Sequence, residues 1–483
     1  MASTKKVSNA RVIGLAVAGA VGGFLFGFDS SVVNGAVNPI ESQFQLSSTI
    51  TGLAVASALI GCAIGAIGGG RIGDRFGRIP TMVVAAILFF ISGIGAGLSP
   101  DVWVFILFRL IGGLGIGIAS VVAPAYIAEI SPKILRGRLA SLQQLAITLG
   151  IFAALLSDTI FANAAGDAGA KFWFGLEAWR WMFIAGIIPA AVYGILSLTL
   201  PESPRFHVLK GNDAKAEEQI RSMWPGQDVA SALREMKDSV KEDAESAKGS
   251  LRGNRFGLKP IVWVGIILSI FQQFVGINVI FYYSTTLWRA VGFTERDSFT
   301  VSVLTSITNV LVTIVAILLV DKVGRRPILL VGSIGMTVSL AAMALAFSQS
   351  HLVNGSPSLP GAWGPVALVA ANVFVISFGA SWGPIIWVLL GEIFPNRIRA
   401  RALGVGAAAQ WIANFVVTIT FPPLSGFSLP LTYGLYALFA ALSFFFVLGV
   451  VPETNGVSLE ETGGTKRDQV SGSMATKDKS KAA

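Results

Sequence analysis

Long apolar stretches separated by short polar ones run almost the whole length of this chain. Stretches of about 20 residues, enough to carry a helix across a ~30 Å hydrocarbon core, fall at 12–36, 49–70, 80–98, 102–126, 139–163, 181–200, 260–288, 299–320, 328–349, 364–390, 402–422 and 431–451. They predict twelve membrane-spanning helices, and an even number leaves both termini on one side. One interval departs from the pattern: 205–259 is rich in charges of both signs, and its segments 213–224 and 229–247, parted by Pro225-Gly226, have helical composition. It reads as a solvated linker of amphipathic helices, or as a bundle that latches what lies on either side. Residues 1–11 are a short basic terminus, and 457–483, rich in Ser, Lys, Thr and Gly, has the composition of a disordered tail.

Composition sharpens the picture. Hydrophobic residues make up 53% and charged ones 13% of the 483, with a mean hydropathy of +0.69, more apolar surface than a water-soluble fold can hide. Basic residues gather in the loops after helices 2, 4, 8 and 10: Arg71, Arg75 and Arg78; Lys133, Arg136 and Arg138; Lys322, Arg325 and Arg326; Arg397, Arg399 and Arg401. The loops after helices 1, 3 and 11 have none. By the positive-inside rule, both termini and the linker are expected in the cytoplasm. The net charge of +9 then reports topology and calls for no nucleic acid, and the basic loops suit acidic lipid headgroups. The first apolar run is too long for a signal-peptide core and reads as a retained helix. Cys62 is the single cysteine, and His207 and His351 lie far apart, so no disulfide, metal site or cofactor is expected.

The chain also repeats itself. GRIGDRFGR at 70–78 is answered by VDKVGRR at 320–326, YIAEISPKILRGR at 126–138 by LLGEIFPNRIRAR at 389–401, and PESPR at 201–205 by PETNG at 452–456. Residues 12–204 and 260–456 are therefore expected to be two six-helix halves facing one another, with a ligand site near the midplane between them. Asp74, Arg75, Arg78, Glu129 and Arg136, and in the second half Asp321, Arg325, Arg326, Glu392 and Arg399, are candidates for charge networks that hold the cytoplasmic side shut. Plain topology signals are the rival reading.

Inside the apolar stretches a few polar residues stand out. Asp29 and Arg109 are costly in lipid unless paired. Asp29 lies ~25 Å along an outward-running helix and Arg109 ~10 Å along an inward-running one at ~1.5 Å per residue, which brings both to the outer half as partners. A small movement between them would switch a proton on and off the acid. Gln144, Gln272, Gln273, Asn278, Asn309, Gln410 and Asn414 are uncharged amides, which donate and accept and so suit a ligand covered in hydroxyls. Trp387 and Trp411 offer flat faces to the apolar side of a sugar ring. The glycine series in RLIGGLGIGIAS follows no strand and reads as helix packing, as do Gly61, Gly65 and Gly69. No grouping of nucleophile, base and acid suggests an enzyme.

In order and spacing, GRIGDRFGR, RLIGGLGIG, PAYIAEISPKILRGR, PESPR, QQFVGIN, DKVGRR, GPIIWVLLGEIFP and PETNG resemble the sugar porters of the major facilitator superfamily over nearly all of 12–456. FGFDSSVVNGA, LIGCAIGA and GLEAWRWMF are similar to segments of bacterial glucose permeases. The resemblance implies an all-α integral membrane protein: twelve transmembrane helices in two pseudo-symmetric six-helix bundles with a cytoplasmic helical linker, in a bacterial inner membrane, functional as a monomer. It implies that Gln144, Gln272, Gln273, Asn278, Asn309, Trp387, Gln410, Trp411 and Asn414 contact a monosaccharide, and that Phe26, Tyr282 and Tyr283 line or gate the cavity. Asp29 and Arg109 match the acid and partner of proton-coupled members. The implied activity is proton-coupled import of a monosaccharide, D-glucose first, by alternating access. A passive hexose uniporter, or a symporter for xylose, galactose or myo-inositol, is the alternative.

Overall fold

A backbone crossing lipid has no water to bond, so each segment must satisfy its own N–H and C=O groups, and helices do this. The computed structural model describes residues 2–132, 136–224, 227–246, 250–253, 257–353, 356–395 and 398–454, with the backbone alone at 2–10, 136–138, 140, 243–246, 319–322, 352, 353, 356, 357 and 400. The expected tail, the Pro225-Gly226 break, Lys133 and Arg397 lie outside the described residues. So do the side chains of Arg136, Arg138, Asp321 and Lys322.

The first six spans are Ala2–Val32, Ser48–Phe76, Arg78–Gly97, Val102–Ile130, Arg136–Ala165, and a sixth in two pieces, Ala178–Ala185 and Ile187–Thr199. The seventh is in three pieces, Pro260–Phe274, Ile277–Tyr282 and Ser284–Arg289, followed by Glu295–Val323 and Arg325–Ser348. The tenth comprises Trp363–Gly379 and Trp382–Ile393. Arg399–Val450 then runs for 52 residues, ~78 Å at ~1.5 Å per residue and more than twice the hydrocarbon thickness. Its backbone is extended at Ser428 (φ −162°, ψ 106°), whose Oγ accepts the Leu431 N–H at 3.3 Å and so caps a new helix with Pro430 in its first turn. The stretch is therefore two spans, and the total is the expected twelve.

Three spans are broken where the apolar pattern reads straight through. In the seventh, Gly276 takes a left-handed conformation (φ 81°), and a Cβ there would lie 2.6 Å from the Tyr436 ring. In the sixth, Pro189 has no N–H for the carbonyl of Ala185. In the tenth, expected as one piece over 364–390, the chain leaves the helix at Ala380 and Ser381 and restarts with Pro384 in the first turn, where a missing N–H is harmless. Hydropathy is blind to such breaks because both pieces stay apolar. A short antiparallel hairpin, His351–Val353 with Ser356–Ser358, also joins the ninth and tenth spans.

Second and fourth spans pack backbone to backbone: a Cβ on Gly113 would fall 2.0 Å from the Ala58 carbonyl oxygen, and one on Gly117 2.2 Å from that of Cys62. The glycine series of the fourth span serves two contacts, because Gly112 and Gly115 face Ser92 and Ala85 of the third span. First and fifth spans pack together, and the halves meet through the second against the eleventh and the fifth against the eighth.

The linker folds as Pro204–Leu209, Asp213–Met223 and Val229–Ser246. Ala216, Ile220 and Met223 form one buried face, and Trp224 Nε1 donates to the Ile130 carbonyl at 2.9 Å, satisfying a terminal carbonyl of the fourth span. Arg11 Nη1 donates to the Ser222 carbonyl at 3.3 Å. Far from floating in solvent, the linker is docked under the first half; the end of the bundle it covers is here called the linker end, and the opposite one the distal end. Trp224→Phe, which keeps a ring but loses the N–H, should lower stability by about 1 kcal/mol. Trp224→Ala should expose 227–253 to limited proteolysis, read by the rate of cleavage in detergent micelles.

Candidate functional site

The first and fourth spans bring a carboxylate and a guanidinium together in the middle of the first half. Asp29 and Arg109 are 4% and 1% exposed, and Arg109 donates from Nη1 to Asp29 Oδ1 at 2.5 Å and from Nη2 to the Asp29 carbonyl at 3.3 Å. The guanidinium carbon also lies 5.5 Å from the centroid of the Phe183 ring. Asp29 Oδ2 has no hydrogen-bond partner among the described residues. This geometry is asymmetric in a useful way. If Asp29 lost its charge, Arg109 would keep the ring face and the carbonyl, whereas loss of Arg109 would strand a buried carboxylate.

Toward the second half lie the amides. Gln272 donates from Nε2 to the carbonyls of Trp382 and Gly383 at 3.0 and 3.3 Å, tying the seventh span to the break in the tenth, and its Oε1 is buried without a partner. Asn278 donates to Gln273 Oε1 at 2.7 Å across the Gly276 break. Asn414 accepts from Thr418 Oγ1 at 3.2 Å, and Tyr282 is buried. Tyr283 donates to the Thr418 carbonyl at 2.9 Å. Phe26 and Trp411 meet edge to face across the halves, their ring centroids 5.7 Å apart. Gln410 Oε1 is buried and unpartnered, Asn309 is buried, Gln144 half-buried, and Trp387 is 45% exposed. Buried acceptors with no donor, Gln272 Oε1 and Gln410 Oε1, are open positions for hydroxyl donors.

At the distal end the halves are clasped. Thr285 donates its N–H to Asn34 Oδ1 at 2.9 Å and its hydroxyl to the Asn34 carbonyl at 2.6 Å. Thr286 donates to Asn38 Oδ1 at 3.2 Å, and Ala168 N–H to Glu295 Oε1 at 2.8 Å. Nothing in composition singles out Asn34 or Thr285, because their partners lie on a distant part of the chain.

At the linker end each half has its own charge clamp. Arg78 bonds Asp74 at 2.6 Å and holds Glu129 through Nη2 at 2.7 Å and Nε at 3.2 Å; Arg205 lies 3.8 Å from Glu129, and Ser203 Oγ donates to the same carboxylate. Glu202 accepts the N–H groups of Arg78 and Ile79 at 3.1 and 3.2 Å, at the positive end of the third span. The second half copies this: Arg325 holds Glu392 at 3.0 and 3.2 Å, Thr454 Oγ1 donates to Glu392 at 2.5 Å, and Glu453 accepts the N–H groups of Arg325 and Arg326, both at 3.0 Å. Arg326 also donates to the Leu448 carbonyl, Arg399 to that of Phe394, and Arg75 lies over the Phe76 ring. The networks were expected to hold one side shut; each of these contacts instead joins helix ends within one half. Glu202, Ser203, Glu453 and Thr454 are clamp members that the repeated PES and PET already signalled.

A membrane fold of twelve helices in repeated halves, with a buried charge pair in one and amides with spare acceptors in the other, defines a carrier built around a central polar site. The chain belongs to the sugar transporter family, the sugar porters of the major facilitator superfamily: residues 15–463 match the family described as "Sugar (and other) transporter". It is 54% identical over 446 residues to a glucose transport protein of Synechocystis sp., which covers 92% of this chain and 95% of that one. With the D-xylose-proton symporter of Escherichia coli the identity is 36% over 489 residues, 93% of this chain and 94% of the other. The partially occluded inward-open structure of the xylose transporter XylE from E. coli matches with a TM-score of 0.80 at 35% identity, over 92% of this chain and 99% of that one. The protein is a membrane transporter rather than an enzyme.

Two outcomes follow from the geometry. Arg109→Gln should cost about 3–5 kcal/mol of stability by stranding Asp29, and Asp29→Asn/Arg109→Gln should recover part of it, measured by thermal unfolding in detergent. Gly77→Ala should lower the melting temperature more than Gly324→Ala: both positions have positive φ (109° and 94°), but a Cβ would fall 2.4 Å from Glu202 Oε2 at the first and 3.1 Å from Glu453 Oε2 at the second.

Proposed function

We propose that this protein imports a monosaccharide, D-glucose first, together with a proton by alternating access across a bacterial cell membrane, with the linker end cytoplasmic and the distal end outside. The observation that carries the reading is the buried Asp29–Arg109 pair with its free Oδ2. With the distal end open, a proton from outside adds to Asp29, the charge that holds Arg109 disappears, and the first and fourth spans can shift against each other. Gln272, Gln273, Asn278, Gln410 and Asn414 then take the sugar hydroxyls, with Gln144 and Asn309 completing the polar lining and Trp387 and Trp411 meeting the ring. Phe26, Tyr282 and Tyr283 close over it. The halves rock as rigid units, the distal clasp forms, and sugar and proton leave at the linker end as the ion pair returns. Sugar and proton are coupled because both favour the same rearranged state.

Driving force is ample. One charge moved through 100 mV supplies about 2.3 kcal/mol, which at about 1.4 kcal/mol per tenfold is about 50-fold accumulation. The relatives support this choice of cargo: one is named a glucose transport protein and another a xylose-proton symporter.

Radiolabelled glucose uptake into proteoliposomes with an imposed pH gradient tests the reading, with counterflow alongside. Wild type should accumulate glucose, and Asp29→Asn should exchange it without accumulation. Equilibration by both proteins would mark a uniporter, and no movement by either would make glucose the wrong sugar.

A further inference from the structure

The first half buries a second acid that the charge pair does not use. Asp158, on the fifth span, is 0% exposed; its Oδ2 accepts the Gly35 N–H at 3.1 Å, and its Oδ1 has no hydrogen-bond partner among the described residues. Gly35 closes the short turn Val33–Gly35 that ends the first span, and a Cβ on it would lie 2.9 Å from Asp158 Cβ and Cγ and 2.7 Å from Met182 Sδ. The carboxyl is thus pressed against that turn. Two more fully buried polar atoms at this end of the first span, Ser31 Oγ and Asn34 Nδ2, also have no partner among the described residues. Asn34 is the residue that clasps Thr285 of the other half through both its Oδ1 and its carbonyl. Asp158 therefore stands directly behind the distal clasp.

The charged groups on the elements around it are committed elsewhere. Asp29 of the first span and Arg109 of the fourth hold each other. Arg180 of the sixth is bound to Glu177 and to the carbonyls of Gly97 and Ser99. Glu295, opening the eighth, takes Arg289 and the Ala168 N–H, and Asp167 takes the Gly169 N–H. Glu41 lies on the helix Val37–Gln43 beyond the turn. No cation among the described residues meets the Asp158 carboxyl. An ionised carboxylate held by one N–H and no cation is costly away from water, while the neutral acid adds an O–H donor at the oxygen that lacks a partner.

We propose that Asp158 is a second proton-binding site, whose proton weights the clasp between the halves. It takes a proton from the outer solution as the distal end closes and returns it there as that end opens. The O–H of the carboxyl is the one bond made and broken, and no proton crosses the membrane by this route. External acidity then favours the distally closed state independently of Asp29. The idea rests on the alternating-access reading and on the distal end as the outer gate, and it does not depend on which sugar is carried.

The test is the distance between spin labels at Thr49→Cys and Arg296→Cys, exposed positions at the distal starts of the second and eighth spans, against pH in an Asp29→Asn background. Cys62 is buried and leaves the labelling clean. The distance distribution should lengthen as pH rises, and Asp158→Asn, which keeps the acceptor for Gly35 but cannot ionise, should remove the shift and leave the short distance at every pH. A background without any pH response, or a response that persists in Asp29→Asn/Asp158→Asn, overturns the proposal. If sugar still changes the distance in that case, alternating access stands and the second proton site alone is lost. If neither sugar nor pH changes it, both ideas fall together.

Discussion

Opposite charges buried together inside a membrane protein are held by each other and by little else. Asp29 and Arg109 are in that position, and the pair is stable only while both are charged or while the one that remains has somewhere to go. Phe183 and the Asp29 carbonyl give Arg109 that second place. In the proposed cycle, neutralising the acid is then a permitted event rather than a catastrophe, because Arg109 keeps a place to go. The rest of the structure, in that cycle, either transmits the change or keeps the molecule from absorbing it.

The clamps at the linker end do the second of these. Arg78, Glu129 and Glu202 in one half, and Arg325, Glu392 and Glu453 in the other, fasten helix ends within a half. In the proposed cycle the halves move as bodies, so a change at Asp29 is expressed at the surfaces between them: the Phe26–Trp411 contact and the Asn34–Thr285 clasp. Trp224 docks the linker on the first half, and the linker helix Val229–Ser246 also meets Arg399–Val450 of the second.

Much of this was legible in the chain, and the gaps have physical causes. Lipid demands long apolar helices, so the spans and the separation of the eleventh from the twelfth could be read directly. The Asp29–Arg109 pairing was legible because two charges in apolar runs had few alternatives. Asp158 is also an acid inside an apolar stretch, 139–163, but no complementary charge in another stretch marks a partner for it. Partners within the clamps were not legible: the repeated motifs named the charges, but only the fold decides that Glu129 meets Arg78 in its own half. Helix breaks at Ala380 and Gly186 were hidden because hydropathy does not register them.

Because sugar and proton favour the same state in the proposed cycle, adding glucose to the purified protein should raise the protonated fraction of Asp29, which infrared difference spectroscopy reads. Wild type should show a sugar-induced protonated-carboxyl band with a component that Asp29→Asn deletes. No sugar-induced band, or one that survives the substitution unchanged, would contradict the proposed coupling.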